Sequence, residues 1–149
     1  MKNNMRILGI DYGEARVGVA ITDALNITAQ GLETIERKNS DKIVLRRLDE
    51  ILANYNDVDT IVVGMPLYLD GNMSPRAKVT SEFVHKLKCK YNKMKIETID
   101  ERLTTVEAHK TMNFLNVDKT KKKNIVDTIS AVYILETYLN KLKNALQKK

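Results

Sequence analysis

The hydrophobic period of this chain changes partway along, and that change restricts the possible folds more than any other feature. Ile7, Leu8 and Ile10 form a short apolar run over Arg6–Asp11. Val17, Val19 and Ile21 then alternate with Arg16, Gly18 and Ala20, which is the period of a strand. Tyr12-Gly13-Glu14-Ala15 between them is short enough for a hairpin turn. A third strand falls within Ile27–Ile35, and strands this close in sequence pair as an antiparallel meander. After Ser40, a fair N-cap, the period becomes helical: Val44, Leu48, Ile51, Leu52 and Tyr55 share one face. Thr60–Val63 is a β-branched strand ending at Gly64, and Ser74-Pro75 opens a helix with apolar face Ala77, Phe83, Val84, Leu87 and Tyr91. Ile96–Ile99 is a fifth strand, and Thr104-Thr105-Val106-Glu107 is a capping box that starts a helix at Thr104. Residues 113–120 read as a loop that orders on substrate. The last helix runs from about Asn124, with the stripe Ile125, Ile129, Val132, Leu135, Leu139, Leu142 and Leu146. Right-handed parallel crossovers in the second half give an α/β fold. It is a single mixed five-stranded sheet, three antiparallel strands then two parallel, flanked by helices.

Residues 1–149 read as one domain with a lysine-rich C-terminal tail. At 43% hydrophobic residues there is material for one core, and no stretch approaches the ~20 apolar residues that span a bilayer. The run Ile7–Ile10 is too short for a signal-peptide core, and the lone Cys89 allows neither an intrachain disulfide nor a multi-cysteine metal site. The expected setting is therefore the reducing cytoplasm, with no membrane partner. The formal charge of +6 is one-sided: nine lysines face only Asp118, Asp127 and Glu136 in the last forty residues, while the rest of the chain sums to zero. Such a segment suits a polyanion partner or, equally, a solubilising helix end.

Three acids stand where this layout collects a site. Asp11 ends the first strand, Glu101 follows the fifth, and Asp127 lies in the first turns of the last helix. The carboxyl ends of neighbouring parallel strands gather at one edge, and the last helix can bring Asp127 over it. Carboxylates placed together repel, and a divalent cation supplies the missing counter-charge. Oxygen donors without Cys or His suit Mg²⁺ or Mn²⁺, and two such ions about 3.5–4 Å apart serve phosphodiester hydrolysis. Each acid singly also has a plain structural use: Asp11 capping a turn, Glu101 beside Arg102 on the surface, Asp127 at a helix start.

Taken together the motifs resemble one family. Asp11-Tyr12-Gly13 with Arg16, Gly18 and Ala20 is similar to the first motif of the YqgF family, also called RuvX-like Holliday junction resolvases. Gly64-Met65-Pro66-Leu67, Asp70-Gly71 and Pro75-Arg76-Ala77 resemble its second motif, and Asp100-Glu101-Arg102-Leu103-Thr104-Thr105 its third. Asp127, Ser130-Ala131 and Ile134-Leu135 resemble its fourth, with Ser130 where the family usually has Ala. The resemblance implies an RNase H-like fold with Asp11, Glu101 and Asp127 as the metal-binding catalytic set. It implies a nuclease linked to maturation of the 5′ end of pre-16S rRNA, earlier proposed to cut Holliday junctions.

The candidate nucleic-acid contacts are Arg76 at a helix start, Arg102, and Lys121, Lys122 and Lys123 just before Asp127, any of which could instead be structural or merely solvated. His85 and His109 lack metal-ligand spacing, and Cys89 reads as an inert thiol. The leading reading is a metal-dependent endonuclease acting in pre-16S rRNA processing, as a monomer or weak homodimer. A Holliday junction resolvase and a non-catalytic nucleic-acid-binding module are alternatives. Asp11-x-Gly13 before a hairpin also resembles the phosphate loop of the actin–sugar kinase group, which encloses ATP between two such domains.

Overall fold

The computed structural model describes residues 5–67, 70–100 and 119–147, with only the backbone course given for 119–127 and 147. The described elements are β1 (Arg6–Tyr12), β2 (Arg16–Thr22), β3 (Ala29–Glu36), α1 (Asp41–Asn54), β4 (Val58–Met65), α2 (Pro75–Lys90), β5 (Lys95–Asp100) and α3 (Lys119–Gln147). The strands form one sheet in the order β3-β2-β1-β4-β5. Short connections at 13–15 and 23–28 force β1, β2 and β3 to run antiparallel. In the first, Gly13 N donates to Arg16 O at 2.9 Å. In the second, Asp23 Oδ1 accepts from Ile27 N and Thr28 N at 2.7 and 3.0 Å, while Asn26 takes a φ of 56°. Helices α1 and α2 return the chain to the starting edge, so β4 pairs parallel with β1 and β5 with β4. This is the mixed sheet that the period pattern predicts.

Alternation along the strands divides the core into two layers. Leu8, Ile10, Val17, Val19 and Ile21 pack with Val44, Leu48 and Ile51 of α1 and with Phe83, Val84 and Leu87 of α2. On the opposite face Ile7, Ala20, Val62 and Ile99 pack with Ala131, Ile134, Leu135 and Tyr138 of α3. Register places Gly31, Ala20 and Gly9 in one row across β3, β2 and β1. Helix α3 lies on that row of small residues. A Cβ at Gly9 would sit 2.5 Å from Leu135 Cγ and 3.0 Å from Ala131 O, and one at Gly31 would strike Thr128 Cγ2.

The expected elements differ from the observed ones in three respects. Ser40 occupies the N-cap position of α1 in extended conformation, but its side chain makes no cap bond. Ser74 does cap α2: its Oγ accepts from Ala77 N at 3.0 Å and donates to Pro66 O, tying the preceding loop to the helix. Helix α3 begins at Lys119 rather than near Asn124, because lysine is a good helix former and no breaker separates Lys119 from Ile125. Lys119 and Thr120 are thus helical, not loop. The buried stripe of α3 is also displaced from the predicted one. It runs through Ser130, Ala131, Ile134, Leu135 and Tyr138, whereas Leu142 and Leu146 are 39% and 72% exposed. Residues 140–146 are all exposed, so the helix has run past the sheet there. The helix predicted from Thr104 and the loop at 113–118 lie outside the described residues. Among the described residues no helix is long and apolar enough to cross a membrane.

Candidate active site

Asp11 is the penultimate residue of β1 and is half-buried. It shares the parity of Ile7 and Gly9, which face α3, so alternation sends its side chain to the α3 side of the sheet. The register Ile10↔Val63 and Val63↔Thr98 brings the carboxyl ends of β1, β4 and β5 to the same end of the sheet. Strand β5 stops at Asp100, paired with Met65. Glu101 and Arg102 follow directly but lie outside the described residues.

The first half of α3 crosses the same end. Thr128 Oγ1 is 3.2 Å from Thr34 Oγ1. Thr34 pairs with Gly18, and Gly18 with Asp11, so Thr34 stands in the row of Asp11, two strand spacings or about 10 Å away. The backbone of Asp127 adjoins Thr128 and so lies over this end. The side chains of Asp127, Lys121, Lys122 and Lys123 lie outside the described residues. The three lysines belong to the first turns of α3 and are not the loop before it. Among the described residues no three His, Cys, Asp or Glu side chains come together, and of the three acids Asp11 alone has a described side chain.

Arg76 is the predicted contact residue that the fold carries to the end of β1. It is the second residue of α2, and its Nη2 donates to Tyr12 O at 2.9 Å. Arg76 therefore grips the carbonyl of the residue next to Asp11. His85 and Cys89 face each other on α2 with Cys89 Sγ 3.6 Å from His85 Nε2, one turn apart and exposed. His109 lies outside the described residues.

Sequence patterning gives no hint of a polar cluster beneath the end of β1. The Tyr12 hydroxyl donates to Asp41 Oδ1. Arg37 Nε donates to the same oxygen at 2.9 Å, and Lys86 Nζ to Asp41 Oδ2 at 2.7 Å. The Tyr12 ring stacks on Phe83 at 4.2 Å, with the Arg37 guanidinium 5.2 Å from its centroid. Burial, then the Asp41 carboxylate, push the Tyr12 hydroxyl up to about 12. Burial also acts to raise the Asp41 carboxyl, but the hydrogen bonds from Lys86, Tyr12 and Arg37 together outweigh it and hold the group below its usual range. Beside this cluster a cleft of about 310 Å³ opens between the β1–β2 turn and the start of α2.

Known proteins share both the sequence and the architecture. At 51% identity, a Ruminiclostridium cellulolyticum protein matches over 93% of this chain and 96% of its own, and its name is "Putative pre-16S rRNA nuclease". An Acetivibrio thermocellus protein of the same name is 45% identical over 91% of this chain and 96% of its own. Among solved structures, the fowlpox virus Holliday junction resolvase superposes with a TM-score of 0.57 at 16% identity, covering 93% of this chain and 99% of that one. The RuvC protein of T. thermophilus in complex with a Holliday junction substrate superposes with a TM-score of 0.53 at 13% identity, covering 88% and 92%. These neighbours show an RNase H-like fold. The family profile RuvX, described as Holliday junction resolvase, matches residues 5–141, so with its order of motifs and its relatives the chain belongs to the RuvX family.

Proposed function

We propose that this protein is a nuclease that hydrolyses phosphodiester bonds in the 5′ region of pre-16S rRNA. The observation that carries the reading is the placement of Asp11. It is the penultimate residue of the central strand and lies on the α3 side, at the sheet end where β5 delivers the chain to Glu101 and where the backbone of α3 passes with Asp127. The names of the relatives give the substrate class. The donor set fits a hard divalent cation, since all three residues offer carboxylate oxygen and a half-buried strand end can present it. Asp11, Glu101 and Asp127 would hold Mg²⁺ or Mn²⁺, two ions in the full site. Bound there, the metals would supply an activated water and stabilise the leaving oxygen.

The protein's own residues do the rest. Arg76 is anchored at Tyr12 O beside Asp11 and presents a guanidinium to the strand being cut. Arg102 and Lys121–Lys123 add positive charge from the chain segments that flank the site. The second reading, resolution of four-way DNA junctions, is favoured by the description of the matched family. Cleavage of a panel of pre-16S rRNA fragments and four-way junctions, with Mg²⁺, with Mn²⁺ and with chelator, tests both. Cutting of the rRNA precursor near its 5′ mature end is expected. Cutting of junctions alone would install the second reading. Binding of both without metal-dependent cutting by pure protein would make the chain a binding module.

A further inference from the structure

We propose that the cleft between the β1–β2 turn and the start of α2 is a phosphate-binding site, with Arg37, Arg76 and the Thr80 hydroxyl as its donors. The phosphate it takes belongs to the substrate backbone, away from the bond that is cut. The assignment rests on the nuclease reading but uses the opposite face of the sheet from Asp11. Tyr12, which lines the cleft, points into the α1–α2 layer, while its neighbour Asp11 points to α3.

Three observations converge on the cleft. Thr80 is fully buried, is part of the lining, and its Oγ1 has no hydrogen-bond partner among the described residues. A buried hydroxyl left unmatched is uncommon, and it asks for a partner that arrives from outside. Next, two guanidinium groups border the space. Each is fixed by bonds that use part of its fork: Arg76 through Nη2 to Tyr12 O, Arg37 through Nε to Asp41 and Nη1 to Glu14 O. Anchored guanidiniums present their remaining N–H groups without a further loss of side-chain freedom. Finally, α2 points its N-terminus at the cleft through Pro75 and Arg76, with no acidic residue in its first turn. Glu14 of the lining is exposed at the rim and can turn outward. The volume of about 310 Å³ is at the small end of ligand pockets, enough for a phosphate and its adjoining sugar. A strand that reaches Asp11 must pass this end of the sheet, which makes a substrate phosphate the natural occupant.

The test uses the full chain, with Arg76→Gln and Thr80→Val as variants. Valine keeps the shape of threonine, so Thr80→Val should fold with an unchanged or higher melting temperature, since it removes an unmatched buried hydroxyl. Inorganic phosphate is titrated while backbone amide shifts are followed by NMR. Saturable movement of the Gly13, Arg76 and Thr80 amides is expected, with affinity lowered roughly tenfold in Arg76→Gln and roughly threefold in Thr80→Val. Anisotropy of a labelled four-way junction and of a labelled pre-16S rRNA hairpin, without metal, should then show weaker binding by both variants. No movement at those amides, or wild-type phosphate affinity in both variants, overturns the site. Phosphate binding with unchanged oligonucleotide affinity overturns the assignment to substrate. Neither readout involves cleavage, so failure here leaves the nuclease reading standing, and failure to cut leaves this site standing.

Discussion

Asp11 and Gly9 share one face of one strand, and they separate chemistry from packing at the level of single residues. Asp11→Asn keeps the shape of the side chain but removes the charge that would hold a divalent cation. Cleavage by this variant should fall to background while its affinity for RNA in chelator stays near wild type, because affinity comes from cationic residues elsewhere. Undiminished cutting by pure Asp11→Asn would remove Asp11 from the metal site. Gly9→Ala should do the reverse. Its new Cβ would lie 2.5 Å from the branch carbon of buried Leu135 and 3.0 Å from the backbone oxygen of Ala131. Neither neighbour is a flexible tip, so α3 must lift, at about 1–3 kcal/mol of overpacking. Urea unfolding measures the loss, and an unchanged midpoint would mean that α3 rides farther from β1. Asp11 was legible in the sequence because a strand end in an alternating pattern marks its own position. The role of Gly9 was not, since the close approach of a helix encoded far along the chain leaves no local trace.

At the scale of elements, the strands were legible and the last helix only in part. Period two over a few residues suffices to locate a strand, and every predicted strand is present with ends moved by a residue or two. For α3 the apolar positions outnumber those that the sheet can cover. The sequence pattern cannot tell Leu142 from Leu135, and only the width of the sheet decides. The Tyr12–Asp41–Arg37–Lys86 cluster was invisible for a different reason. It joins β1, the end of β3, α1 and α2, and its partners are brought together only by tertiary packing. Its stability has a pH signature. The Tyr12 hydroxyl titrates at about 12 when folded against about 10 in an unfolded chain. A raised folded value stabilises the fold fully below pH ~10, and that contribution is lost as pH rises from ~10 to ~12. Asp41 behaves oppositely: its lowered value contributes above the unfolded carboxylate range and is lost as pH falls through the folded value. Urea midpoints against pH should therefore drop at the alkaline end in wild type and by a smaller amount in Tyr12→Phe, which keeps the share of Tyr91, whose hydroxyl is also raised by burial and by its bond to Asp49. Parallel alkaline limbs in the two proteins would show that Tyr12 ionises normally.

Across the whole molecule the formal charge is divided between a neutral body and a cationic last segment, and much of that segment is helix α3. Helix α3 lays its buried middle across β3, β2 and β1 and carries Lys121, Lys122 and Lys123 in its first turns, ahead of Asp127. A solvated loop of lysines has no fixed course, whereas these lysines belong to a helix whose Thr128 meets Thr34 of β3. Replacing all three with Ala separates their electrostatic from their structural part. Alanine is the strongest helix former, so α3 should form at least as well, and the melting temperature should not fall. Affinity for RNA should nevertheless drop, and its salt dependence should flatten. Each phosphate contact removed lowers the slope of log affinity against log salt by about 0.7–0.9, the smaller value applying to single strands. The loss should be the same for unrelated sequences, because a point charge on a phosphate does not read bases. Binding measured across a salt series for wild type and triple variant decides it. A slope shallower by about 2 would mean that all three lysines meet phosphates along the track. An unchanged slope would leave α3 as a structural helix with a solubilising start and shift the track to Arg76 and the cleft beside it.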